Sequence, residues 1–239
     1  GKNPNIIMSD ADLEIAIPGV IDGMRYTRQG QACTAGSRVY IHEKIYDKVL
    51  DGVVDKLSKL KMGNALDETS DIGAIISEEQ LKRTLYYMDI AKKNSSTEIL
   101  HGGNQSKGGE YKDGFYYEPT LLSGLPVSSP VCQEEVFGPV ACAIPFKSFD
   151  EVMKSANDTQ FGLSAVLWTK DLSRALQFVD EIEAGFVQVN QCVAPRANVS
   201  YGGIKMSGLG KEYAFDSMMN HFTQSKTVLI NRGKSNIDV

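Results

Sequence analysis

The sequence predicts an α/β fold, a mostly parallel twisted sheet flanked by helices. Three observations predict it. Short β-branched or aromatic runs alternate with segments of helical period along nearly the whole chain, the order that a parallel sheet covered on both faces requires. The 239 residues are enough for one large domain or two small ones with a sizeable core. The composition, 42% apolar and 23% charged, is ordinary for such a fold.

Residues 3–8 read as a short buried strand. Ser9 is the predicted N-cap of the helix that follows, since its hydroxyl can accept from a first-turn N–H, and Asp10 and Asp12 suit the helix dipole. Leu13, Ile17, Val20, Ile21 and Met24 recur at helical spacing, and Pro18-Gly19 interrupts them, so a kink or break is expected there. Residues 38–42 form the next strand. Residues 43–60 form an amphipathic helix whose apolar stripe is Ile45, Tyr46, Val49, Leu50, Val53, Val54 and Leu57.

Residues 63–71 read as a loop, and 77–93 as a second long helix opened by Ser77 and Gln80 as a capping box. A short strand is expected at 97–100, then a surface loop over 102–114 that holds five glycines. Pro119 restricts the strand at 115–121 to an edge or an end, because proline cannot donate to a ladder. After a turn at 126–130, strands are expected at 140–146, 163–168 and 186–190, with helices at 148–157 and 172–183. A long glycine-bearing loop then runs to Gly210. A short helix, a last strand at 226–230 and a tail at 233–239 complete the chain.

The net charge of −5 is spread without a basic block, which argues against nucleic acid as a partner. No apolar run approaches the ~18 residues of a membrane helix, so no membrane partner is expected. The four cysteines, Cys33, Cys132, Cys142 and Cys192, lie far apart with no C-x-x-C pair. Only His42, His101 and His221 accompany them, with no H-E-x-x-H, and no metal site is expected. Such usage suits free thiols in a reducing compartment, the cytoplasm or an organelle matrix.

One stretch organises the rest: Gly30-Gln31-Ala32-Cys33-Thr34-Ala35-Gly36-Ser37-Arg38. Small neighbours leave the thiol approachable, and glycines on either side let backbone N–H groups converge on a bound group. A lone cysteine is more often a buried hydrophobe than a nucleophile. As a nucleophile it reacts through its thiolate, which needs a nearby base or positive field. Arg25, Arg28 and Arg38 are close in sequence.

The whole string resembles the active-site signature of the NAD(P)-dependent aldehyde dehydrogenase superfamily. Two further strings match the same family in order: Gln133-Glu134-Glu135-Val136-Phe137-Gly138-Pro139-Val140, and Tyr201-Gly202-Gly203-Ile204-Lys205-Met206-Ser207-Gly208-Leu209-Gly210-Lys211-Glu212. The resemblance covers nearly the whole chain and places Gly1-Lys2 inside a Glu-Leu-Gly-Gly-Lys motif, so the sequence is expected to be the C-terminal half of a longer protein. It implies a catalytic domain over residues 1–225, an oligomerisation strand and tail over 226–239, and an N-terminal dinucleotide-binding domain outside this chain. The expected assembly is a homo-oligomer, dimer or tetramer.

The chemistry implied is oxidation of a small-molecule aldehyde to a carboxylic acid through a thiohemiacetal and then a thioester on Cys33. The cofactor, NAD or NADP, enters by resemblance alone, since the sequence holds no G-x-G-x-x-G and no phosphate loop. By the same resemblance Glu135 holds the nicotinamide ribose, Phe137 packs beside it, and Glu212 relays protons. Taken without the motif, Glu135 reads as a solvated acid, Phe137 as a core aromatic and Glu212 as a first-turn helix acid. The family's general base would precede Gly1 by three residues and its oxyanion-hole asparagine lies in the other half, so this chain alone is expected to be inactive. The substrate tunnel is expected among Thr27, Ala32, Thr34, Val193, Pro195 and Tyr201, with Arg28 or Arg196 either recognising an acidic aldehyde or facing solvent. Release of the thioester to CoA instead of water, or a non-catalytic role in assembly, are the alternatives.

Overall fold

The computed structural model describes residues 1–231. In chain order the strands are β1 (Pro4–Ile7), β2 (Arg38–His42), β3 (Glu98–His101), β4 (Thr120–Ser123), β5 (Val140–Phe146), β6 (Phe161–Gly162), β7 (Ser164–Trp168), β8 (Phe186–Val189) and β9 (Ile204–Lys205). The helices are α1 (Leu13–Met24), α2 (Tyr46–Ser58), α3 (Glu78–Lys93), α4 (Pro130–Gln133), α5 (Phe149–Asn157), α6 (Leu172–Glu181) and α7 (Phe215–Phe222).

Seven strands form one sheet in the order β3-β4-β5-β2-β1-β7-β8. Every neighbouring pair is parallel except β3–β4. Successive strand residues point to opposite faces, and both faces are apolar. Ile6, Tyr40 and Leu122 join a core under α3, α5 and α6, whereas Ile7, Ile41 and Leu121 join a second core under α1 and α2. This α/β architecture is the one the alternation of elements implies.

Four local expectations need correction. Ser9 is not the cap of α1: Asp12 is, accepting from the Glu14 N–H at 3.0 Å. Helix α1 runs unbroken through Pro18. Proline deprives the Glu14 carbonyl of its partner, but Glu14 is exposed and water can serve it. Gly19 is a site of close packing and no breaker, since a β-carbon there would lie 2.1 Å from the Trp168 ring. The strand expected at 115–121 begins only after Pro119, as β4, and lies inside the sheet. Residues 226–230 form no strand in this chain, and Val228, Leu229 and Ile230 are exposed there. The expected tail, residues 233–239, lies outside the described residues.

The capping box of α3 is half realised. Ser77 Oγ accepts from the Gln80 N–H at 3.2 Å, but the Gln80 side chain turns to other partners described below. Arg38, fully buried at the start of β2, donates to the carbonyls of Lys2, Ser155 and Ala156 and to the Tyr40 hydroxyl. Two of those carbonyls belong to the last turn of α5, so a guanidinium of rigid fork geometry closes a helix end that would otherwise be buried unsatisfied.

Candidate active site

Cys33 lies on the segment between α1 and β2. Arg25 ends α1 in a left-handed conformation (φ 58°), and a single 3-10 turn over Tyr26–Arg28 follows. Tyr26 is buried and donates to the Thr120 carbonyl at 2.8 Å, anchoring the turn to the sheet. Beyond the cysteine, the Gly36 N–H donates to the Gly23 carbonyl at 2.9 Å.

Asn3, just before β1, ties the segment down. Its Nδ2 donates to the carbonyls of Cys33 at 2.8 Å and Ala35 at 2.9 Å, while its Oδ1 accepts from the Ser164 N–H at 2.9 Å. One buried amide thus fixes the cysteine loop to the start of β7, and all three of its bonds are local in space but distant in sequence. The loop is held still while its thiol remains exposed.

The Glu-Glu-Val-Phe-Gly-Pro string packs directly on this loop. Gly30 (φ +64°) approaches the Gly138 carbonyl so closely that a β-carbon would sit 2.2 Å from its oxygen. Gln80 Nε2 donates to the carbonyls of Val136 at 2.9 Å and Phe137 at 2.8 Å. Phe137 itself is held at φ 55° with its ring 37% exposed. Arg83 donates to the Glu135 carbonyl at 2.6 Å, and the Glu135 carboxylate accepts from the Gly1 nitrogen. Gly1, Ala32, Ala35, Glu135 and Phe137 line one small cleft beside the cysteine loop. The two residues expected to hold a cofactor are therefore brought beside the cysteine loop.

The third string closes the other side. A cleft of about 390 Å³ is lined by Cys33, Leu163, Tyr201, Leu209, Glu212 and His221, with the Gly202-Gly203 turn. Tyr201 and Glu212 exchange backbone hydrogen bonds at 2.9 and 2.7 Å. Helix α7 begins only at Phe215, so Glu212 is not a first-turn helix acid. Lys211 Nζ donates to the Gly202 carbonyl at 2.7 Å and to that of Gly203 at 3.2 Å. The Tyr201 hydroxyl lies 3.2 Å from Cys33 Sγ. Burial, and then the hydrogen bond with that sulfur, push the Tyr201 phenol well above its ordinary range.

Of the expected tunnel residues, only Tyr201 lines this cleft. Ala32 lines the smaller one, and Thr27, Thr34, Val193 and Pro195 line neither. Val193 is instead folded back, its N–H donating to Gln188 Oε1 at 2.8 Å and its carbonyl accepting from Arg25 at 3.3 Å. Of the nearby guanidiniums, Arg25 donates to that carbonyl and Arg38 is buried against the end of α5. Arg28 and Arg196 are exposed and outside both clefts.

The tethering contacts of Asn3, Gln80 and Lys211 escaped sequence reading. Only Asn3 left a trace, as an amide in a buried strand that must find partners. Three of the segments that carry site residues run into the amino end of a sheet strand: Asn3 into β1, Cys33 into β2, Glu135 and Phe137 into β5. Among the described residues no three of His, Cys, Asp and Glu converge as metal ligands do, and no helix is long and apolar enough to cross a membrane.

The model of the aldehyde dehydrogenase family matches residues 1–228. A betaine aldehyde dehydrogenase of Brucella melitensis is 36% identical over 234 residues, which cover 98% of this chain and 47% of that protein. The crystal structure of a Staphylococcus aureus betaine aldehyde dehydrogenase with NAD+ superposes with a TM-score of 0.88 at 35% identity, over 92% of this chain and 43% of that one. The NAD+ complex of a Bacillus cereus aldehyde dehydrogenase gives a TM-score of 0.90 at 34% identity, over 97% and 46%. The chain spans about half the length of the curated relatives it matches.

Proposed function

The chain belongs to the aldehyde dehydrogenase family, and on that premise we propose that it is the thiol-bearing part of an enzyme that oxidises an aldehyde to a carboxylic acid. One observation carries this: an exposed cysteine on a rigidly held loop, opening on a 390 Å³ cleft with the Glu135–Phe137 string packed against its other side.

In the proposed reaction the Cys33 thiolate attacks the carbonyl carbon. The C–S bond forms as the C=O π pair moves to oxygen, and the Cys33 backbone N–H helps to hold that oxyanion. NAD(P)+, when bound, supplies the acceptor for the hydride that leaves the same carbon, so that a thioester remains on Cys33. Water then adds to the thioester, the C–S bond breaks, and the acid departs with the thiolate restored. Glu212 lines the cleft, and in this reading it relays a proton in that step.

The residues present suit a nicotinamide nucleoside. The Glu135 carboxylate lies at the small cleft and can accept hydrogen bonds from ribose hydroxyls. The half-open Phe137 ring offers a flat apolar wall. NAD+ is the form bound in the related structures, which supports it as the cofactor here.

Neither Arg28 nor Arg196 reaches the cleft, whereas Tyr201 and Glu212 line it. An aromatic face and a carboxylate favour a neutral or cationic aldehyde over an acidic one, in keeping with relatives named for betaine aldehyde. The exposed Val228, Leu229 and Ile230 suit pairing with a second copy of the chain. The test is NADH formation by the protein at the length of its relatives. Cys33→Ala should abolish it, and kcat/KM should be higher for a quaternary-ammonium aldehyde than for a semialdehyde acid. Undiminished NADH formation by the Cys33→Ala variant would remove the proposal.

A further inference from the structure

We propose that Tyr201 is a positioning residue for the nucleophile: its hydroxyl donates a hydrogen bond to Cys33 Sγ, favouring the thiolate and holding it toward the C-terminal cleft. This rests on Cys33 being the nucleophile of the preceding section.

The contact is 3.2 Å long. A thiolate carries no proton, so against that form the phenol is the donor. The hydroxyl is not free to swing away. The Tyr201 main chain is paired with Glu212, and its ring meets Phe186 and Tyr213 edge-on at 5.5 and 5.8 Å. Lys211 locks the carbonyls of the following glycine turn. Arg25 and Arg38 have other partners, and the Tyr201 hydroxyl is within hydrogen-bond distance of the sulfur. Burial raises the phenol above its ordinary range, so it is a donor at neutral pH.

A hydrogen bond to an ionised group has an opposed pair of consequences. Favouring the thiolate by about tenfold enlarges the reactive population at neutral pH. It also lowers the sulfur's intrinsic nucleophilicity by about threefold, because reactivity follows basicity with a slope of about 0.4–0.5. The net effect is a gain of about threefold when the thiol is mostly protonated, and a loss of about threefold when it is fully ionised.

Iodoacetamide alkylation, followed at each cysteine by peptide mass spectrometry from pH 6 to pH 10, reads both consequences. Tyr201→Phe keeps the ring contacts and the backbone pairing. The variant should react about threefold more slowly than the original chain at Cys33 near pH 7 and faster near pH 10, so that the two profiles cross, while the rate at half-buried Cys192 stays the same in both. Coincident profiles, or a constant ratio at every pH, would overturn the role of the hydroxyl while leaving Cys33 as the nucleophile. If Cys33 in the original chain proved the slowest of the four cysteines, the nucleophile itself would be lost, and this role with it.

Discussion

Gly30 and Gly138 meet backbone to backbone: a β-carbon on Gly30 would stand 2.2 Å from the Gly138 carbonyl oxygen. Through this contact the cysteine loop and the Glu135–Phe137 string become one structure. Gly30 also holds φ +64°, where a side chain costs about 1–2 kcal/mol. Backbone cannot yield as a side-chain tip can, and overpacking adds about 1–3 kcal/mol. Gly30→Ala should therefore lose at least about 2 kcal/mol of stability, read as a lowered urea midpoint. An unchanged midpoint would mean that the contact is slack.

Asn3 predicts a second loss. Asn3→Ala leaves the carbonyls of Cys33 and Ala35 and the N–H of Ser164 without their partner. Buried groups left unpaired cost about 1–3 kcal/mol each where water cannot enter, so a total near 2–4 kcal/mol is expected. Hydrogen exchange should rise selectively at residues 33–37. Protection equal to that of the original chain would show that the loop is held by other means.

The sheet and most helices were legible because their periods are written in consecutive residues, as in Ile6-Ile7 and Tyr40-Ile41, which feed opposite cores. Cys33, Glu135, Tyr201 and Glu212 were singled out because their strings resemble a family, and they line the two clefts. Of the six residues expected at the tunnel, four line neither cleft. Thr27 and Thr34 neighbour the cysteine in sequence, but chain direction at a left-handed cap decides which side chains face the cleft, and Arg25 adopts that conformation without any glycine to announce it. Gln80 was read as a cap because Ser77 precedes it by three residues. Its side chain is long enough to serve Val136 and Phe137 instead, a pairing 56 residues away that no local pattern encodes.

Arg38 supplies a third test. Its guanidinium reaches three carbonyls and a phenol from a fully buried position. Lysine keeps the charge but not the planar fork, so Arg38→Lys should cost about 3 kcal/mol or more and uncap α5. Denaturant unfolding measures it. A change below about 0.5 kcal/mol would contradict the assigned role.

Asp10 carries a pH dependence. Burial works against its charge, but hydrogen bonds from the Thr169 hydroxyl and the Lys170 N–H outweigh it, so its carboxyl lies below the ordinary 3.8. A carboxylate whose folded value is depressed adds stability above its unfolded value, and that increment is lost as pH falls through the folded one. Asp10→Asn should flatten the acid limb of the stability–pH curve below about pH 4. Acid limbs of equal steepness would exclude Asp10 as a contributor.

The central claim is that one sulfur of four is presented for attack, and site-resolved alkylation of the native chain measures it most directly. Cys132 and Cys142 are buried and Cys192 is half-buried, so iodoacetamide at neutral pH should label Cys33 first and by a wide margin. A saturating aldehyde ligand should slow that labelling and leave Cys192 untouched. Should Cys33 instead be the last of the four to react, the proposed reaction centre does not exist.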